Sequence, residues 1–573
     1  MVSPRAAAAS IARAGAARVL AVGALGVLLA IAFTWPVGPR LGRVGRFDTG
    51  DGHWSIWCVA WVAHALATDP GDLYDANIFY PHDDTLAYSE NNIVAGVLGL
   101  PAMALTGNPY ATHNLAMLAG FALAFLCAWA LARHLSGDTG LAIAAGIAFA
   151  FCPFMFARTA HIQLMMFFGL PLTLLALHRA IASPTPVRGI GLGLALVVSA
   201  LSCGYYGIFA ALLTGFGLIF FGLSRGLWRR GAFWLCGTTA AVTSIAIVAP
   251  FFVPYVRVQA ELGFSRSVEE AAFYSADWQA WLASSAWAHR WIQPLLGHWN
   301  EVLFPGAITT IGGIAGAVIA LRRSTTPATP APVADGSPGG SGHQRDVVIF
   351  YIVVALVAFW ISFGPAAGLY RLLFATIPVF SFLRAPSRIG IVVVLALAML
   401  AAIGAGRLLA GLAPPRRRLA AGALAVAVAA ELFTAPLLMR EAPPVSNAYR
   451  YLATAQRGPV LELPFFYERI DFARHARYMS ASGWHWQPLI NGYSDHIPSE
   501  FRELAPRLHG FPSGEAFLLL RERRARYVVI HRDLYGRRDR ERLLERLTAY
   551  APYLTLRLTD GDTDLYEITA WPH

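Results

Sequence analysis

Long apolar runs separated by short polar breaks fill the chain as far as residue 439, after which the pattern changes. Runs near 15–35, 111–132, 139–157, 161–180, 188–203, 204–224, 232–255, 302–321, 347–364, 387–410 and 419–439 each come close to the ~20 residues that a helix needs to cross a bilayer. The pattern predicts about eleven spans, or one fewer if 188–224 is a single long bent helix. The stretch 93–106, interrupted by Pro101, is too short to cross and reads as a re-entrant or loop helix.

The arginines orient these spans. Threading from a cytoplasmic amino end puts Arg133, Arg179, Arg188, Arg225, Arg229, Arg230, Arg322, Arg323, Arg345 and Arg416-Arg417-Arg418 inside, as the positive-inside rule requires. Arg40, Arg43 and Arg46 run against it. Three regions then lie outside: the first loop (38–92), residues 256–301, and everything from 440 on. Residues 324–346, rich in Pro, Gly, Ser and Thr, read as a flexible cytoplasmic linker.

From residue 440 the chain is charged and turn-rich. Val460-Leu461-Glu462-Leu463 and 526–530 read as strands, 514–524 and 537–550 as helices, and 554–569 as a hairpin turning at Asp560-Gly561. The expected fold is mainly α: a polytopic transmembrane helical bundle over 1–439 with a small external α/β domain over 440–573.

Composition agrees. The chain is 56% hydrophobic and 14% charged, where soluble proteins carry about a quarter charged residues. The net charge of +11 is spread as arginines between apolar runs; it reports topology and gives no basic face for nucleic acid. Every basic side chain of the Lys/Arg class is arginine, which excludes a P-loop, a Schiff base and a lysine general base. Cys58, Cys127, Cys152, Cys203 and Cys236 are far apart and show neither a disulfide framework nor a zinc spacing.

Polar chemistry gathers at the outer ends of the spans. Just beyond the first, Phe47-Asp48-Thr49-Gly50-Asp51-Gly52-His53-Trp54 packs two acids, two glycines, a histidine and a tryptophan into one stretch. Acids are costly beside lipid and call for a reason; a catalytic base and an Asx-type cap on the following helix both supply one. Trp54, Trp57 and Trp61 recur at helical spacing, either in a helix lying in the interface or in a buried aromatic stripe. The loop continues to Tyr88-Ser89-Glu90-Asn91-Asn92, longer than connections without function usually are. Arg158, His161 and Gln163 fall where one span exits and the next enters, and Arg384 and Arg388 flank Pro386 at the start of another. A proline-led helix amino end with two guanidiniums is a seat for a lipid phosphate, or the arginines snorkel to headgroups. Glu431, about two turns inside the last span, is expected to bond to a neighbouring helix.

The stretches G-D-G-H-W-S-I-W, N-I-F-Y-P-H-D-D-T-L-A-Y-S-E-N, A-H-I-Q-L-M, L-R-A-P-S-R and W-H-W-Q-P-L-I-N-G-Y-S, with the long acidic first loop and the external carboxyl-terminal domain, resemble the GT-C superfamily of membrane glycosyltransferases, and among them bacterial GT-C or YfhO-like proteins. The resemblance implies inverting transfer of a sugar from a polyprenyl-phosphate donor to a cell-envelope glycan, lipid or protein at the outer face of a bacterial inner membrane. It implies a first-loop base, Asp48 or Asp51; relatives often carry an adjacent acidic pair, and here the spacing is D-T-G-D. Arg384, Arg388, Arg158 and His161 are then expected at the donor phosphate. His53, Trp54, Tyr88, Glu90, Asn91, Gln163, Trp484, His485, Trp486, Asn491 and Tyr493 are expected along the substrate. Some members use a divalent cation (Mg or Mn) and others are not known to, so the metal stays open. Rival readings are a lipid or polysaccharide transporter, which predicts mid-membrane polar residues and two related halves, and a non-catalytic envelope-assembly protein with the same fold.

Overall fold

The computed structural model describes residues 4–263, 266–322 and 341–572. The helical unit comprises α1 (Pro4–Phe33), α2 (Gly50–Thr68), α3 (Ile93–Thr106), α4 (Pro109–Ser136), α5 (Thr139–Ala150), α6 (Pro153–Phe156), α7 (Gly169–Ala182) and α8 (Pro186–Ser202). It continues with α9 (Gly204–Ser224), α10 (Gly231–Leu262), α11 (Val268–Phe273), α12 (Ala307–Arg322), α13 (Ser341–Ser362), α14 (Leu369–Thr376), α15 (Gly390–Leu408) and α16 (Pro414–Glu431). Among the described residues eight helices are long and apolar enough to cross a membrane. The protein is a multi-pass membrane protein.

A helix stands at each of the eleven expected positions. Two of these, α8 and α12, are shorter than a full span, and α16 opens on Arg416-Arg417-Arg418. Residues 188–224 form two helices: the backbone is extended at Cys203 (φ −164°, ψ 130°), and Glu90 accepts the Gly204 N–H that opens α9 at 3.0 Å. The expected linker at 324–346 lies outside the described residues up to 340, and its last six residues begin α13.

Local signals set the helix ends. Gly137 takes φ +70° to close α4, and Asp138 then caps α5, its carboxylate accepting the Gly140 and Leu141 N–H at 2.8 and 3.0 Å. Asn108 caps α4 in the same way, with Pro109 at the first helical position. Glycines bring α12 against α15: a Cβ on Gly404 would stand 2.1 Å from the Gly316 Cα.

The two ends of the bundle differ in chemistry. At one end Arg417 pairs with Asp138 (2.7 Å) and Arg225 with Asp346 (3.5 Å). Pro109 packs under Gly483 of the carboxyl-terminal domain, a helix of 28 residues away from Ser136, which is roughly 40 Å. Glu431 is the last residue of α16, with Pro436 ending the run; its carboxylate accepts the Ala307 and Ile308 N–H at the start of α12 and meets His289 at 3.0 Å. The expected bond to a neighbouring helix is made there.

The carboxyl-terminal domain holds α17 (Asn447–Thr454), β3 (Val460–Leu463), α18 (Ala476–Ser482), α19 (Ser499–His509), α20 (Gly514–Glu522), β4 (Tyr527–His531), α21 (Arg537–Ala549), β5 (Leu554–Asp560) and β6 (Thr563–Ile568). Its sheet runs β3-β4-β6-β5, with β3 and β4 parallel and the other pairs antiparallel. A second, two-stranded sheet pairs β1 (Val44–Gly45) with β2 (Arg440–Glu441) and ties the first loop to the start of this domain. The indoles of α2 are buried between the two: Trp57 donates to Asn77 (2.9 Å) and Trp61 to the Leu73 carbonyl (3.0 Å). The buried stripe is the reading that holds, because all three rings are buried and the Trp57 and Trp61 N–H groups have protein acceptors.

Candidate active site

The first loop turns into α2 through a close crossing of backbone. Thr49 caps the helix, its hydroxyl accepting the Gly52 N–H at 3.0 Å. A Cβ on Gly52 would lie 2.0 Å from the Arg46 carbonyl oxygen, and one on Gly50 would lie 2.8 Å from the Ala473 Cβ. The chain therefore passes against itself and beneath the carboxyl-terminal domain, which only glycine permits. The glycines make room for protein and not directly for substrate.

This turn separates the two acids. Asp48 precedes the cap and is held by Arg46 through both oxygens, at 2.8 and 3.0 Å, while Arg46 also donates to Thr159 Oγ1 at 2.5 Å. Asp51 sits in the first helical turn, with His161 Nε2 at 3.3 Å and the Tyr493 hydroxyl donating at 3.3 Å. Its side chain is 49% exposed. Hydrogen bonding from His161 above all, against the pull of burial, and then the Tyr493 hydroxyl and the Arg384 charge, hold its carboxyl below the ordinary range. Asp51 is thus an ionised, accessible carboxylate at neutral pH.

The arginines form a second layer. Arg384 donates to Asp495 at 2.7 Å and approaches Glu270 at 3.9 Å; Arg266 bonds the same two acids, closing a ring of four charges. The Arg384 and Ala385 N–H groups donate to the Tyr205 hydroxyl at 2.8 and 3.2 Å. These N–H groups are already used, so the expected seat is not a bare helix end: Pro386–Ile389 is a 3-10 turn running into α15. Arg388 is 7% exposed, stacks over the Tyr205 ring at 4.4 Å, and leaves its Nε without a partner. Arg158 pairs with buried Glu301, which also accepts from Ser387 at 3.1 Å. Burial pushes the Arg158 guanidinium down to about 10, and the Arg388 charge adds to this. Half-buried Glu90 accepts from Gly204 and Cys203, and its carboxyl is raised by desolvation although the Gly204 hydrogen bond and then the Arg388 charge oppose the shift.

Arg388 Nε, Arg158 Nε, His161 Nδ1 and Gln163 Oε1 are all buried without a hydrogen-bond partner. Buried polar groups are normally satisfied, and these four lie on two adjoining segments.

The remaining expected residues have other surroundings. His53 shares a 2.7 Å hydrogen bond with Ser480 and lines a cavity with Asp48. Trp54 packs against Trp57, and Tyr88 against Phe79 and His496. Asn91 accepts the Ile93 N–H that opens α3. In the carboxyl-terminal domain Asn491 is wholly buried and clamps Glu462 of β3 by two backbone bonds. His485 stacks on Tyr449, Trp484 meets Tyr110 edge-on, and Trp486 stacks on His64 at 4.3 Å. These four side chains serve the core and the contact with the helical unit, because the three rings meet protein rings and the Asn491 amide is used by the Glu462 backbone; Tyr493 alone of that group reaches Asp51. Tyr205, Asp495, Glu270, Glu301 and Ser387 escaped the sequence reading; the polar break at Cys203-Gly204-Tyr205 and the Ser in L-R-A-P-S-R were the available signals.

Among the described residues no group of three or more His, Cys, Asp or Glu is placed to hold a metal ion. Asp48, which would complete a first-loop acidic pair, is tied to Arg46. The residues therefore do not fit a cation site, and no step is assigned to one.

No protein-family model and no curated protein matches the sequence. Solved structures do match. The arabinofuranosyltransferase AftD from Mycobacteria is similar over 97% of this chain and 42% of its own, at 15% identity and a TM-score of 0.54. An oligosaccharyltransferase from Archaeoglobus fulgidus is similar over 96% of this chain and 74% of its own, at 13% identity and a TM-score of 0.49. ArnT from Cupriavidus metallidurans covers 97% and 98%, at 15% identity and a TM-score of 0.40. The likeness to AftD is one of fold, over nearly all of this chain and less than half of that one.

Proposed function

We propose that this protein is a glycosyltransferase that moves a sugar from a polyprenyl-phosphate carrier to a cell-envelope acceptor, with inversion, at the outer face of a bacterial inner membrane. The observation that carries the reading is Asp51: an ionised, half-exposed carboxylate held by His161 and Tyr493, with Arg384 close enough to lower its pKa. The GT-C fold raises the prior, but a fold hosts many activities and the site must argue for itself.

In this reading the Asp51 carboxylate takes the proton of the acceptor hydroxyl as its oxygen attacks the anomeric carbon. The bond from that carbon to the phosphate oxygen breaks on the opposite face, and the phosphate leaves with the electron pair. A positioned base of this kind is worth about 10²–10⁴-fold. Arg388 and Arg158, both with open Nε donors, neutralise the departing charge in a setting shielded from water. Arg384 joins them when it leaves Asp495. Asp48, neutralised by Arg46, is a structural acid. The carboxyl-terminal domain is placed outside because Arg225 and Arg417, on predicted inner loops, pair with Asp346 and Asp138 at the end of the bundle opposite to it.

The test is transfer by purified protein offered polyprenyl-phosphate sugars and envelope extract as acceptor. Asp51→Asn is expected to lose transfer by 10²-fold or more, and Asp48→Asn to keep it. Undiminished transfer by Asp51→Asn removes the proposed base; absence of transfer with every donor and acceptor favours the non-catalytic reading.

A further inference from the structure

Beside the Asp51 turn lies a cavity of about 210 Å³, lined by residues that catalysis does not use. Its walls come from both units: Phe47, Asp48 and His53 on the first loop and α2, and Phe466, Arg474 and Arg477 on the carboxyl-terminal domain. Thr49 and Gly50 complete the rim, and Asp51 is the next residue along the chain.

The electrostatics of this cavity are one-sided. Asp48 is cancelled by Arg46. Burial first, and then the Arg477 charge, push the His53 imidazole down to about 4, so it is neutral at physiological pH. Arg474 stacks over the Phe466 ring at 4.3 Å and reaches Asp471 at only 3.5 Å. Arg477 makes no ion pair among the described residues. What remains is two guanidiniums, one of them uncompensated, facing a small space with apolar walls at Phe47, Phe466 and Leu534.

We propose that this cavity is the acceptor subsite and that it selects an anionic sugar unit, bearing a carboxylate or a phosphate that Arg477 and Arg474 bind while Phe47 and Phe466 cover the ring. Guanidiniums suit both anions through paired N–H donors. The inference rests on the glycosyltransferase reading for the word acceptor; the preference for an anionic sugar does not. Gly50 on its rim directly precedes Asp51, the proposed base.

The experiment measures binding and not transfer. Full-length protein in lipid nanodiscs is titrated with methyl glucuronide, glucose 6-phosphate and the neutral methyl glucoside by ligand-observed NMR. One or both anionic sugars are expected to bind at least tenfold tighter than the glucoside, the stronger of the two telling carboxylate from phosphate. Arg474→Gln/Arg477→Gln is expected to abolish that preference with the melting temperature unchanged, and Asp51→Asn to keep it. Equal binding of charged and neutral sugars, no binding of either anion, or a preference that survives in a folded double variant overturns the proposal. Retained binding in a protein without transfer activity sinks only the catalytic reading.

Discussion

The Tyr493 hydroxyl donates to Asp51 at 3.3 Å across 442 positions of sequence, so the carboxyl-terminal domain completes the environment of a carboxylate on the first loop. Together with Gly50 packed on Ala473 and β1 paired with β2, this contact makes the domain a structural part of the site. Tyr493→Phe keeps the ring and removes the donor. It is expected to lower turnover about three- to tenfold, the scale of one hydrogen bond of ~1 kcal/mol, with donor KM unchanged. A kcat like that of the parent protein would show that Asp51 does not need this partner.

His161 gives the clearest pH prediction. Its hydrogen bond is the largest cause of the lowered Asp51 pKa. An Asp whose folded pKa lies below its unfolded value contributes stability that is present above the unfolded value and lost as pH falls through the folded one. Transfer follows the same ionisation, so its acid limb lies below the ordinary carboxylate value of 3.8. His161→Ala removes the largest lowering contribution and leaves burial opposed only by Tyr493 and Arg384; the acid limb of the kcat/KM profile is expected to move up. An unmoved limb would mean that another group titrates.

Arg388 stacks on Tyr205 with one open Nε and little solvent contact. Lysine cannot reproduce the planar stack or the paired donors. Arg388→Lys is therefore expected to lose transfer almost as fully as Arg388→Ala, on the order of 10²–10³-fold, when measured against saturating lipid-linked donor. Full rescue by lysine would reduce the role to charge alone.

Gly52→Ala tests the crossing beneath α2. The added Cβ would meet the Arg46 carbonyl at 2.0 Å, and backbone on both sides leaves little room to yield. Overpacking of this kind costs about 1–3 kcal/mol, which a lowered melting temperature registers. The same shift would move Asp48 and Asp51 together, so transfer is expected to fall further than stability does.

Much of the fold was legible because its signals are local. Apolar run length located the helices, and alternation picked out Val460–Leu463 and the hairpin at Gly561. The short helices Asn447–Thr454, Ala476–Ser482 and Ser499–His509 were missed, since two or three turns carry few periodic positions. The stretch that holds the site was legible, and the division of labour within it was not. D-T-G-D offers two equivalent acids to the eye, and the choice depends on Arg46 five residues before Asp51 and on His161 and Tyr493 far along the chain. Trp484, His485 and Asn491 look equally suited to sugar faces and to a core, and only their partners Tyr110, Tyr449 and Glu462 decide between these.

The ring of Arg266, Glu270, Arg384 and Asp495 joins the segment 256–301, the approach to α15 and the carboxyl-terminal domain. A donor phosphate that takes Arg384 must displace Asp495, its partner at 2.7 Å. Partly exposed pairs of this kind hold about 0.2–1 kcal/mol, so the exchange is within reach of a bound phosphodiester anion. Asp495→Asn keeps a hydrogen-bond acceptor and removes the competing charge. Its donor KM is expected to fall two- to fivefold, with kcat unchanged or lower because the carboxyl-terminal domain is held less firmly over the cleft. Reversing the charge with Arg384→Glu should instead raise KM more than tenfold. If Asp495→Asn raises KM as well, the ring acts as a scaffold for the cleft and Arg384 does not change partners when the donor binds.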